Sequence, residues 1–236
     1  MDEHTDILNQ QIAYYVARAD EYDEWFFRKG RYDRGEDHRK VWCAELAHVE
    51  AALKEAQPGG RILELACGTG LWTRHLLPRA EELTVVDASP EMLALCRERI
   101  AAPGVKFVQA DLFEWWPSET YDFIFFGFWL SHVPEDKFDA FWARLATALN
   151  PEGKVFFVDS LFTQSSTATD HERIDRDGIV ERKLNDGRRF KVVKVFHEAD
   201  VLKERLMGMG WDGFVQSTDR FFLYGQMSRP PISADS

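Results

Sequence analysis

Chemistry-bearing residues recur in this chain where apolar runs end. Residues 63–70 read LELACGTG, an apolar run followed by Gly68 and Gly70 with one residue between them. Lacking a Cβ, each glycine lets the backbone turn sharply and a ligand approach closely. Glu64 stands just before the turn, at the end of the run, where it can remain ionised. The spacing is G-x-G-x-x-T, with Thr73 where dinucleotide-binding turns carry a third glycine. Seventeen residues after Gly70 a second run ends in Asp87. A carboxylate there can accept both hydroxyls of a ribose. VQADLFEW then adds Asp111, suited to an adenine amino group, with Leu112 against the ring. A glycine turn, a ribose acid and an adenine acid at the ends of three consecutive runs describe a nucleoside pocket.

Those runs must be strands for the residues to meet. Apolar, β-branched and aromatic stretches at 61–65, 82–87, 105–109, 121–126 and 153–158 read as strands. Helices are expected between them at 71–78, 90–101 (Pro90 in its first turn) and 134–149. This alternation implies a parallel, doubly wound α/β sheet covered on both faces. Upstream, Leu8, Ile12, Tyr15 and Ala19 share one helical stripe over 5–19. An aromatic, charged loop follows, and then a helix over 36–56 carries Trp42, Leu46, Val49 and Leu53 before PGG at 58–60 stops it. Downstream, Asn185-Asp186-Gly187 marks a hairpin within about 178–196. A helix over 198–209 leads to GFVQST and RFFLYGQM, whose short connection allows only antiparallel pairing. Residues 229–236 read as a disordered tail.

The chain has 236 residues, a hydrophobic fraction of 45% and a net charge of −11. It is long enough for one sizeable α/β domain with a small cap. The acidic balance argues against a nucleic-acid partner, whose phosphates are met by Lys and Arg. The one basic stretch, RKGRYDRGEDHRK at 28–40, interleaves acids with its bases and reads as a solvated loop. Cys43, Cys67 and Cys96 are odd in number and lack metal-ligand spacing, which fits a reducing, cytoplasmic setting. No apolar run reaches membrane-spanning length, and no signal segment is evident. A homodimer is admitted but not required.

LELACGTG, VVDASPEML, ADL and YDFIFFGFWLSHVP together resemble the successive motifs of class I S-adenosylmethionine-dependent methyltransferases. The resemblance covers most of residues 58–228 and includes the antiparallel final strand. It implies a Rossmann-like, mostly parallel seven-stranded sheet at 58–228 behind an N-terminal helical cap at 1–57. It also implies S-adenosylmethionine as cofactor and S-adenosylhomocysteine as product. By the same resemblance Glu64, Gly68 and Gly70 face the methionine part, Asp87 holds the ribose, Asp111 and Leu112 meet the adenine, and Ala66, Ala88, Met92 and Phe128 are further cofactor-binding residues. YYVARADEYDEWF resembles the lid of small-molecule members, which places Tyr14 or Tyr22 near the methionine carboxylate and Trp25 in the wall. No metal is called for.

Methyl transfer from a sulfonium is an in-line displacement with a neutral leaving group. The protein must align the acceptor, exclude water and remove a proton where the acceptor carries one. His132, just past the fourth strand, is the first candidate base, and it would equally serve by bonding loop backbone. Asp159 and His38 are the others. Trp25, Trp129, His132 and Phe162 suit an apolar or aromatic acceptor. Arg173, Arg182, Arg188 and Arg189 would suit an acidic one, or simply form a charged hairpin face. Three other readings stay open. They are a nucleic-acid methyltransferase, disfavoured by GFWL in place of Asn/Asp-Pro-Pro-aromatic; a nicotinamide oxidoreductase, which leaves Asp111 unexplained; and a non-catalytic protein of the same fold.

Overall fold

A computed structural model describes residues 3–171 and 178–229. Nine strands and seven α-helices are formed among them. Five strands run parallel: β1 (Gly60–Leu65), β2 (Ala80–Asp87), β3 (Lys106–Gln109), β4 (Tyr121–Gly127) and β5 (Leu149–Ser160). β6 (Ile179–Lys183) and β7 (Arg189–Val193) make a separate hairpin. β8 (Asp212–Ser217) and β9 (Phe222–Ser228) complete the main sheet in the order β3-β2-β1-β4-β5-β9-β8. β9 lies antiparallel to both β5 and β8, and for β8 the short 218–221 connection requires it. The chain reverses direction of travel across the sheet between β1 and β4. That is the point at which such sheets open a crevice beyond their carboxyl ends.

Alternation along each strand builds a core on either side of the sheet. Ile62, Phe123, Phe125, Phe156 and Val158 face the side covered by α3 (Glu36–Glu55), α4 (Thr73–Leu76) and α5 (Pro90–Ile100). Leu63, Leu65, Ile124, Phe126, Val155 and Phe157 face α6 (Glu135–Ala148) and α7 (Ala199–Gly208). On α6 the apolar residues fall at 138, 141, 142 and 145, a single helical stripe. Its Trp142 is fully buried. No helix of the described residues is long and apolar enough to cross a membrane, and none of their acidic, His and Cys side chains cluster as a metal site.

The N-terminal segment forms α1 (Glu3–Arg18) and the short α2 (Tyr22–Phe26). α1 lies on the β6–β7 hairpin, where Tyr14 packs with Val180, Leu184 and Val192.

Several expectations change. The helix foreseen at 71–78 is a single α-turn, Thr73–Leu76, because Pro78 sends the chain into a 3-10 turn. The loop foreseen after residue 20 contains α2. The stretch 28–40 is not all solvated. Arg28 is fully buried, its guanidinium 3.7 Å from the centre of the Trp42 ring and bonded to the carbonyls of Trp25 and Ser166. Of the expected tail at 229–236, residues 230–236 lie outside the described residues, as does Arg173.

Candidate active site

Two chambers lie beyond the carboxyl ends of β1, β4 and β5, and one wall separates them. The first spans about 700 Å³, the solvent at its mouth included. Ala66, Gly68, Asp87, Ala88, Met92, Asp111, Leu112 and Phe128 all line it. β2 ends in Asp87, and the Gly68 and Ser89 amides donate to its two carboxylate oxygens at 2.9 Å each. Burial pushes the Asp87 pKa up to about 6, against the pull of these amides. Ser89 also caps α5, accepting from the Met92 amide at 3.1 Å, which fixes the floor. Asp111 accepts from the Phe113 amide at 2.8 Å. Ala66 and Phe128 follow β1 and β4 with φ of 52° and 57°. Such strain in non-glycine residues gathers at ligand sites. Walls of Leu112, Phe113 and Met92 beside two carboxylates fit the nucleoside of S-adenosylmethionine.

Other expected cofactor residues stand elsewhere. Glu64 points into the α4–α5 side of the core, where it is 1% exposed and Oε2 has no hydrogen-bond partner. Burial there pushes its pKa up from the ordinary carboxylate value. Gly70 does not line the chamber. Its φ of +83° and a Cβ position 2.9 Å from Cys96 Sγ show that glycine serves close packing on α5, not ligand approach. The turn is tied to the cap instead through Thr69, whose hydroxyl donates to Asp23 at 2.7 Å while Arg99 donates to Thr69 and pairs with Asp23. Tyr14 faces the second chamber, and Tyr22 lines both. Trp129, expected against an acceptor, lines the first.

The second chamber, of about 590 Å³, is basic. Arg18, Arg182 and Lys194 line it with Tyr14, Tyr15, Tyr22, Tyr32 and His171, and none of its described lining residues is a carboxylate. The helical repeat puts Gln11, Tyr15 and Arg18 of α1 on one face, turned toward the sheet. Arg18 is 8% exposed, and its Nε has no hydrogen-bond partner. Arg182 contacts His171 Nδ1 at 3.3 Å. Burial, then the adjacent Arg182 charge, holds the His171 pKa at about 4, so the ring is neutral at pH 7. Lys194 donates to Ser131 Oγ at 2.6 Å and pairs with Asp159 at 3.4 Å.

The candidate bases His132, Asp159 and His38 are each engaged in hydrogen bonds within the protein. Burial, then the Lys194 charge, holds the His132 pKa at about 3. Its Nδ1 lies 2.6 Å from the Val193 carbonyl, which only accepts, so Nδ1 carries the ring hydrogen. Nε2 is left bare and accepts from the Tyr15 hydroxyl at 2.7 Å. Asp159 sits behind Lys194, receiving the Ser131 and Ser160 amides. Burial opposes its ionisation, but Lys194 and the Ser131 amide outweigh that and hold it below the usual range. His38 bonds the Ser165 carbonyl at 3.0 Å and lines neither chamber. Trp25 lines the basic chamber, but Phe162 is 41% exposed, packs on Phe196 and lies outside it. Arg188 and Arg189 pair with Asp186 and Glu181 on the hairpin surface.

A methyltransferase-domain family model matches residues 62–153. The solved structure of DhpI with S-adenosylhomocysteine is 37% identical, covers 97% of this chain and 99% of that one, and superposes with a TM-score of 0.77. A further DhpI structure holds S-adenosylmethionine and HEP. Among curated proteins, an uncharacterized methyltransferase of Bacillus cytotoxicus is 28% identical over 145 residues, 60% of this chain and 66% of that protein. Trans-aconitate 2-methyltransferase of an Acidovorax species is 39% identical over 108 residues, 44% of this chain and 40% of that protein. The chain thus matches just under two thirds of the first curated relative and two fifths of the second.

Proposed function

Because this chain belongs to the class I S-adenosylmethionine-dependent methyltransferases, we propose that it methylates an oxygen of a small acidic metabolite held in the basic chamber. The observation that carries the reading is charge. Among the described residues three cations and no carboxylate line the chamber, and Asp159 behind Lys194 offsets one of them. Those described side chains leave about two positive charges in a buried site, which is costly until an anion enters. The similarity to a trans-aconitate methyltransferase, whose named substrate is a polyacid, points the same way.

When bound, S-adenosylmethionine supplies an electrophilic methyl group, to which an acceptor oxygen forms a C–O bond while the C–S pair returns to sulfur. The protein's residues do the rest. Arg18, Arg182 and Lys194 bind and orient the anion, and Asp159 and Ser131 fix the Lys194 ammonium. An ionised acid oxygen carries no proton to remove, so no general base is required, in keeping with a His132 whose Nε2 is taken by Tyr15. α1 and α2 roof both chambers and exclude water. The three free thiols and the net acidity accord with a cytoplasmic protein that does not engage nucleic acid.

Transfer of labelled methyl from S-adenosylmethionine to a panel of acids tests this. Di- and tricarboxylates and phosphorus oxyacids should take label as esters, and matched neutral alcohols and amines should not. Label only on neutral acceptors would overturn it.

A further inference from the structure

Arg182 is mounted differently from other cations nearby. Lys194 has Asp159 at 3.4 Å, and Arg188 on the hairpin has Asp186. Arg182 lines the basic chamber, and no carboxylate of the described residues pairs with it. Its hydrogen-bond partner among those residues is His171, whose Nδ1 lies 3.3 Å from Nη1. Asp170, the acid next to His171 in the chain, is taken up by Arg31 and Lys183 at 3.2 Å each.

These contacts fix the state of the imidazole. A guanidinium N–H only donates, so Nδ1 is bare. A carbonyl only accepts, so Nε2, 3.2 Å from the Lys183 carbonyl, carries the hydrogen. A ring with one such hydrogen is neutral. It cannot turn over, because that would set an N–H against the guanidinium and a lone pair against the carbonyl. Arg31 donates to the same carbonyl at 2.7 Å and anchors it from behind. The His171 amide donates to the Ala168 carbonyl at 3.3 Å, and the ring stands edge-on to Tyr32. A carboxylate in this place would also orient the guanidinium, but it would offset the charge that an anion needs. A neutral acceptor takes one N–H and leaves the charge whole. Burial disfavours the Arg182 cation, so an entering anion relieves a cost that His171 does not.

We propose that His171 is a positioning residue for anion recognition, a neutral acceptor that aims the Arg182 guanidinium into the basic chamber without offsetting its charge. The inference rests on the proposal above that this chamber holds the acidic acceptor.

The test is calorimetric titration at pH 8 with inorganic phosphate and with trans-aconitate, on protein saturated with S-adenosylhomocysteine. Wild type is compared with His171→Asn, His171→Asp and His171→Leu. Asparagine keeps a neutral acceptor near the place of Nδ1 and should bind both anions within about threefold of wild type. Aspartate has the same shape with a charge, and should weaken both by at least about tenfold. Leucine removes the acceptor and should cost about three- to tenfold. Asparagine and aspartate pack alike, so a gap between them is not what a merely structural role produces. The S-adenosylhomocysteine affinity, measured alongside, should hold in every variant and shows that each is folded. Should His171→Leu lose it, the asparagine and aspartate pair decides alone. Either anion bound by His171→Asp as tightly as by wild type, or by His171→Asn no better than by His171→Leu, overturns the inference. Wild type that takes up the nucleoside but neither anion overturns the anion reading, and this inference with it.

Discussion

Acidification should release the nucleoside from this protein through a single carboxylate. Raised from its ordinary 3.8 to about 6 by burial, Asp87 is protonated in the free protein below that pH. Ribose hydroxyls donating to it favour the ionised form, so the proton must leave before the ligand binds. The apparent dissociation constant then scales as 1 + 10^(pKa − pH). It is nearly unchanged from pH 8 to 7 and rises about elevenfold at pH 5, about 1.4 kcal/mol. The chamber's histidine stays neutral across this window, since His132 titrates at about 3. The assay is calorimetric titration with S-adenosylhomocysteine between pH 5 and 8, in wild type and Asp87→Asn. The variant should bind more weakly at pH 8, and its affinity should lose the acid limb. A wild-type affinity that is flat to pH 5, or an acid limb that persists in Asp87→Asn, would refute the reasoning. The same shift has a stability sign. The folded state holds this proton more tightly than the unfolded chain, so ionising Asp87 withdraws about 3 kcal/mol of stability as pH rises from below 3.8 to above 6.

Arg18→Met should lower kcat/KM for the acidic acceptor by about 2–4 kcal/mol, roughly 30- to 1,000-fold, while the S-adenosylhomocysteine affinity holds; equal losses in both would place Arg18 in the nucleoside chamber. Because His132 is neutral throughout and the acceptor oxygen is already ionised, kcat at saturating substrates should show no inflection near pH 6.5, and a slope of one there would restore His132 as a base. Gly70→Ala should destabilise the fold by about 2–4 kcal/mol in denaturant unfolding, from a strained φ and a Cβ against Cys96. Cys96→Ala should return part of that loss, and an unaffected Gly70→Ala would show that the turn is not packed as described.

The parallel sheet is legible because each strand is an apolar run ending in a residue type the fold can use: Leu65 before the glycine turn, Asp87, and Gln109 before Asp111. The nucleoside chamber follows from those ends. The basic chamber has no such local signature. Tyr15 and His132 are 117 residues apart, and Ser131 and Lys194 are 63 apart. They meet only because α1 lies on a hairpin that follows β5. Within α1, Tyr15 reads as one more ring on an apolar stripe; the visible sign was Gln11, Tyr15 and Arg18 sharing a face of an otherwise core-directed helix. Lys194 and His171 carried no sign at all. Arg28 misled because interleaved acids suggest solvent, yet Trp42 and two carbonyls hold it fully buried. Gly70 misled because a glycine in a turn looks the same whether a ligand or Cys96 lies against it.

The most direct test of the account is a crystal structure of the protein with S-adenosylhomocysteine. The account predicts the adenosine in the larger chamber, its ribose on Asp87 and its adenine beside Asp111 and Leu112, with the sulfur at the wall between the chambers and the basic chamber open beyond it. A nucleoside seated among Arg18, Arg182 and Lys194 would contradict it.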